Sequence, residues 1–189
     1  FLVFFIDSLH ESLCKKVDIN ISGKIVNELD KIAFESMNNW KEYFKNCYSK
    51  IIELFYGQMV SFIEVDNIVK SKSYNPICFF TLPIPNKENV NIYDCFDLFT
   101  QTEKLEGDNK WKCDKTKQYY DASLKKVFWK YPNILIVSFK RFDNFGRKKN
   151  LKIDFPLNSL DLTKYCIGYG KHKSYFNLCI SSSYVILES

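Results

Sequence analysis

With 189 residues, 46% hydrophobic and 17% aromatic, the chain can bury a sizeable core as one domain or two closely packed subdomains, which excludes general disorder. No apolar run approaches the roughly 18 to 20 residues needed to span a bilayer, so no membrane partner is expected. The net charge of +5 is uneven: residues 110–175 hold 16 Lys and Arg against 5 Asp and Glu, the remainder 11 against 17, yet these lysines form no dense run, so solvated strand faces account for them and no nucleic-acid partner is expected.

In chain order, Leu2, Phe5, Ile6, Leu9 and Leu13 fall at helical spacing, which leaves Asp7, His10 and Glu11 on or near the other face. Phe1 to Ile6 has the apolarity of a signal-peptide core but neither a basic leader nor a small-residue cleavage site, and the chain is expected to start inside a longer protein. Residues 15–27 lack periodicity and read as a loop. From Asp30 to about Phe55, Phe34, Met37, Trp40, Phe44, Cys47, Ile51 and Leu54 recur at three or four, predicting one long helix closed near Gly57. Strands are predicted over 59–69 and 77–84, a short helix over 92–99, and further strands over 124–129, 134–139, 151–155 and 175–180, with Asp143-Asn144-Phe145-Gly146 as a turn. Helices first and sheet after is an α+β arrangement.

The most informative phrase is Trp129 to Phe142. Pro132 cannot donate a ladder hydrogen bond, and Ile134 to Val137 is apolar on both faces, as in a central strand, before it ends in Lys140-Arg141-Phe142. Seven cysteines, Cys14, Cys47, Cys78, Cys95, Cys113, Cys166 and Cys179, include no C-x-x-C pair and are odd in number. They read as reduced thiols of a cytoplasmic or nuclear protein rather than a disulfide framework.

Taken together, these pieces resemble the catalytic domain of ubiquitin-specific proteases, papain-like cysteine peptidases that cleave ubiquitin from its conjugates. Phe1-Leu2-x-Phe4-Phe5-Ile6-Asp7-Ser8-Leu9-His10-Glu11 is similar to the family helix F-L-x-x-L-L-D-x-L-H-E, and Ser49 to Gln58 to the segment S-x-I-x-D-L-F-x-G-Q. Thr81-Leu82-Pro83-Ile84-Pro85, Tyr93 to Phe99, Glu103-x-Leu105-x-Gly107, Asn109 to Cys113, the Trp129 to Phe142 phrase, and Phe155-Pro156-Leu157 with Leu160-Asp161-Leu162 continue it in the family's order. The fold implied is an incomplete papain-like one: 1–56 a helical thumb portion, 57–128 a fingers-like β region with a short helix near 92–99, and 129–189 a palm sheet portion.

That chemistry needs a thiolate held by an imidazole, a group that orients the imidazole, and a donor for the oxyanion. The resemblance places the nucleophilic Cys upstream of the helix that holds Asp7, and the His box after a strand that looks like Phe176-Asn177-Leu178. Neither box is found in these residues. His10 and His172, the only histidines, match neither catalytic position and read as surface residues, so no catalytic residue is assigned. Many family members bind zinc through two C-x-x-C pairs; here the positions fall on Val65, Ile68, Cys113 and Thr116. One thiolate cannot hold structural zinc, and no metal or other cofactor is expected.

The resemblance makes Asp7 the carboxylate that meets the arginine-rich tail of ubiquitin, against the plainer reading of a helix-surface Asp near Lys15 or Lys16. It makes Lys140 and Arg141 structural. The implied function is that of part of a deubiquitinating enzyme, inactive as this chain alone, whose partners are ubiquitin, ubiquitinated proteins and the missing parts of its own domain. The alternative is a catalytically dead ubiquitin-binding pseudo-protease or scaffold.

Overall fold

The computed structural model describes residues 1–170, 174–180 and 185–188. His172 lies outside the described residues. Mixed helix and sheet bear out the α+β expectation. Among the described residues no helix is long and apolar enough to cross a membrane.

Helix α1 (Leu2–Leu13) follows its apolar spacing, but only Ile6 is buried; Leu2 and Leu9 pack partly, and Phe5 and Leu13 remain about half exposed. Helix α2 (Glu28–Phe44) starts at a capping box, in which Asn27 Oδ1 accepts from Asp30 N at 2.8 Å and Asp30 Oδ2 accepts from Asn27 N at 3.0 Å. The single helix predicted to run to Phe55 is two. Helix α3 (Lys50–Phe55) starts after a break at which Tyr48 exchanges two 2.8 Å backbone hydrogen bonds with Lys15. A residue paired sideways to an extended segment cannot also continue a helical ladder, and hydrophobic spacing cannot detect a partner so far upstream.

Strands β1 (Gly57–Val65), β2 (Ile68–Ile77), β5 (Glu103–Leu105) and β8 (Ala122–Lys130) form an antiparallel sheet of order β2-β1-β8-β5. The run predicted over 59–69 is thus a hairpin. Asp66 and Asn67 both take positive φ, 52° and 60°, the conformation of a two-residue hairpin turn, and Val65 pairs with Ile68 across it. Helix α2 covers one face of this sheet with Leu29, Ile32 and Ala33 against Val60, Val127 and Trp129, while Phe34 and Met37, expected inside, are nearly half exposed. Glu35 ties α2 to β2 by accepting from Lys72 Nζ at 2.9 Å and from the Tyr74 hydroxyl at 2.5 Å.

Gly57 has a different role from the one its position suggested. Tyr56 is already extended, and Gly57 opens β1, where a Cβ would lie 2.6 Å from Lys130 O and 2.8 Å from Pro132 Cδ. We expect Gly57→Ala to cost about 1–3 kcal/mol by forcing β1 away from β8, measured as a lower urea midpoint at unchanged m-value.

The second sheet joins β3 (Phe79–Leu82), β9 (Ile134–Phe139), β11 (Leu160–Asp161), β12 (Tyr175–Ile180) and β13 (Val185–Glu188) in the order β11-β12-β13-β9-β3. Strand β9 lies between antiparallel β13 and parallel β3, central as its sequence predicts. Its two apolar faces meet different cores: Leu135 and Val137 join the largest cluster, and Ile136 joins the smaller one beneath α1 and α3. Two short pairings complete the layout, β4 (Val90–Asn91) with β10 (Ile153–Asp154) and β6 (Trp111–Lys112) with β7 (Tyr119–Tyr120). Between them α4 (Ile92–Thr100) starts at the Asn91–Asp94 capping box. The strand expected over 151–155 is reduced to the two residues of β10.

Candidate binding site around Asp7

Because α1 buries Ile6 against Ile51, Cys78 and Ile136, the next residue, Asp7, falls on the solvent side of the helix. It does not stand alone there. The phenol of Tyr56, the residue between α3 and β1, lies near enough to its carboxylate to feel the charge. The Tyr56 ring packs edge-on against Phe44 with centroids 5.4 Å apart, which fixes where the hydroxyl points. Burial first, together with the nearby Asp7 carboxylate, pushes this phenol up to about 12, so Tyr56 stays protonated at neutral pH. The Asp7 carboxylate itself is exposed, with lone pairs open to solvent.

Its neighbours on the helix surface are Phe4 one turn before, 74% exposed, and Glu11 one turn after, also exposed. An exposed carboxylate with a second acid four residues on and an aromatic ring beside it suits a basic, extended peptide: the acids meet guanidinium groups and the ring meets the aliphatic stems. Beneath, burial and the nearby Asp7 raise the Cys78 thiol to about 12. It is a neutral packing group at neutral pH and not a nucleophile.

The other residues singled out by sequence lie elsewhere. His10, expected on the surface, is half buried: Nδ1 lies 2.7 Å from Ser49 Oγ and Nε2 3.4 Å from Cys47 Sγ. The expectation of reduced thiols also changes, because Cys14 and Cys47 are joined in a disulfide. The Cα atoms of Cys14 and Cys47 lie 4.9 Å apart next to the antiparallel Lys15–Tyr48 pairing that breaks the long helix. Lys140 donates its backbone N–H to Leu82 O at 2.8 Å, and Arg141 Nη1 donates to Leu151 O at 2.8 Å and Lys149 O at 3.3 Å. Both pin the chain beyond β9, a structural role.

Val65 and Ile68 close the β1–β2 hairpin as apolar side chains that offer no metal donor, and the Cys113 thiol is lowered by hydrogen bonding to the Thr116 side chain and backbone. These residues do not fit a four-thiolate zinc site. Two features escaped sequence reasoning. Tyr56 lies inside the quoted Ser49 to Gln58 segment, but the carboxylate it neighbours is on α1. Gln58, buried, accepts from Ser36 Oγ at 2.5 Å and donates to Ser36 O and Asn39 Oδ1, each at 3.1 Å, which locks the start of β1 onto α2.

Comparison with known proteins matches residues 1–179 to the family described as ubiquitin carboxyl-terminal hydrolase. Ubiquitin carboxyl-terminal hydrolase 4 of Eremothecium gossypii is 30% identical over 172 residues, 87% of this chain and 20% of that protein. Ubiquitin carboxyl-terminal hydrolase 5 of Saccharomyces cerevisiae is 30% identical over 184 residues, 94% of this chain and 23% of its own length. Ubiquitin carboxyl-terminal hydrolase 21 of Rattus norvegicus is 34% identical over 150 residues, 74% and 26% respectively. The chain thus spans about a fifth to a quarter of the length of these relatives.

Proposed function

This chain belongs to the ubiquitin carboxyl-terminal hydrolase family, and from that premise we propose that it is part of a thiol-dependent deubiquitinating enzyme in which Asp7 holds the basic C-terminal tail of ubiquitin. The observation that carries the reading is the exposed Asp7 carboxylate, beside the Tyr56 phenol, on a helix seated through Ile6. Opposite charge at a fixed position sets the register of an extended tail, and with it which peptide bond reaches a nucleophile.

In this reading residues 1–56 are the thumb portion, 57–128 the fingers that grip the globular part of ubiquitin, and 129–189 the palm, with β9 beneath the cleft. Ubiquitinated proteins are the substrates and the place of work is the cytoplasm or nucleus. These 189 residues supply binding and scaffold, while the nucleophile and its base come from outside them. The chain is accordingly expected to give no turnover of a ubiquitin–fluorophore conjugate. It is also expected to bind ubiquitin and to lose that binding when the ubiquitin tail is removed. Hydrolysis above the buffer rate, or binding indifferent to the tail, would overturn the proposal.

A further inference from the structure

The half-buried cluster of Cys14, Cys47, His10 and Ser49 takes no part in the binding reading above, and its geometry is that of reactive sulfur. Cys14 lies one helical turn after His10 at the end of α1, and its sulfur is bonded to that of Cys47 in the turn after α2. Of the two sulfurs, that of Cys47 lies 3.4 Å from His10 Nε2. The other ring nitrogen, Nδ1, is engaged at 2.7 Å by Ser49 Oγ, on a residue only 5% exposed just before α3. Ser49 thus fixes the ring so that Nε2 faces the sulfur. An imidazolium held there stabilises a thiolate and makes Cys47 both the better nucleophile and the better leaving group.

Beside the pair opens a groove lined by Lys16, Val17, Asp18, Lys41, Lys45 and Asn46. Three lysines against one aspartate favour an anionic visitor, although Lys45 also pairs with Glu42 at 2.5 Å. The other cysteines described as free thiols are differently placed: Cys78, Cys95 and Cys166 are buried, and Cys113 is partly exposed.

We propose that Cys14 and Cys47 form a reversible thiol–disulfide exchange site for anionic low-molecular-weight disulfides, with Cys47 as the attacking thiol and His10 as its base. Cys47 Sγ passes its proton to His10 and attacks one sulfur of the small disulfide, forming a mixed disulfide and releasing one small thiolate, which takes up that proton. Cys14 then loses its proton to solvent and attacks Cys47 Sγ, forming the Cys14–Cys47 bond and expelling the second small thiolate, which is protonated in turn. Two protein thiols are oxidised, one small disulfide is reduced to two small thiols, and no other oxidant is required. A conditional disulfide of this kind also accords with the compartment proposed above, where protein disulfides are commonly transient and redox-sensing.

The test uses the 189-residue chain carrying Cys113→Ser, glutathione with its disulfide as the redox couple, and acid quenching, alkylation and peptide mass mapping. No ubiquitin is involved, so its outcome is independent of the Asp7 reading. Cys14 and Cys47 are expected to convert together between two alkylated thiols and one disulfide as the redox ratio changes. A Cys14→Ser variant is expected to form the mixed disulfide at Cys47 about tenfold faster than Cys47→Ser forms it at Cys14, with that advantage abolished by His10→Asn and absent in denaturant. In the chain that retains both cysteines, His10→Asn is expected to slow reduction of the disulfide by glutathione by a similar factor, a readout independent of how well the cysteine variants fold. Two thiols that stay free under excess glutathione disulfide, equal rates at the two positions, or His10→Asn reducing at the parent rate would overturn the proposal.

Discussion

Replacing Phe128 with alanine is expected to lower the unfolding free energy by about 3–5 kcal/mol, a large part of the stability of a domain this size. Phe128 is fully buried on β8, and its ring meets Tyr131 at 4.5 Å, Phe80 at 5.1 Å, and Phe96 and Phe99 at 6.1 Å each, centroid to centroid. Those partners come from the β8–β9 connection, from β3 and from α4, so one side chain joins three elements that are distant in sequence. Truncation removes the transfer energy of the ring and leaves a void that aromatic neighbours fixed by their own packing cannot fill. Phe128→Leu keeps most of the volume and is expected to cost well under half as much. Urea denaturation of the three proteins checks this, and a cost for Phe128→Ala under about 1 kcal/mol would contradict the placement of this ring at the centre of the main core.

Breaking the Cys14–Cys47 bond is the second large effect. The bond links residues 33 apart, and closing a loop of that length in the unfolded chain corresponds to about 3–4 kcal/mol on a chain-entropy estimate. The folded ends lose little, because Lys15 and Tyr48 still exchange their two backbone hydrogen bonds and His10 still meets Ser49. Thermal unfolding with and without a strong reductant should therefore show the oxidised chain melting several degrees higher, roughly 2–4 °C per kcal/mol at this size. Cys47→Ser should melt with the reduced protein and ignore the reductant. A parent melting temperature insensitive to reductant would contradict the linkage.

What could be read in advance follows from how local each determinant is. Strand β9 was legible from Ile134 to Phe139 because a strand between two cores must be apolar on both faces, and Pro132 marks where it can begin. The short helix after Asn91 was legible from its own spacing. The long helix was misread because the force that ends α2 is a backbone pairing to Lys15, which leaves no trace in the spacing of Phe44, Cys47 and Ile51. Most of β2 was missed for a related reason: it is an edge strand rich in Ser and Lys, and an edge exposed to water has no need of apolar alternation.

The site divides in the same way. Asp7 came from resemblance to a family helix, while the Tyr56 phenol beside it is contributed by the far end of another helix. The cysteine count and spacing argued for free thiols, since nothing in sequence distinguishes two of seven cysteines that a distant strand-like bridge sets side by side. His10 read as exposed for want of any sign that Ser49 and Cys47 would reach it.

The central claim is that Asp7 meets the basic tail of ubiquitin, and a double-mutant cycle on that contact tests it most directly. Binding of ubiquitin to the chain would be measured by calorimetry for the parent, for Asp7→Asn, for ubiquitin with its tail arginines replaced by alanine, and for the two changes combined. Each change alone is expected to raise Kd about tenfold or more, as for a charge-assisted contact, and the combination to cost little beyond either one. Binding unaltered by Asp7→Asn, or losses that simply add, would contradict the account.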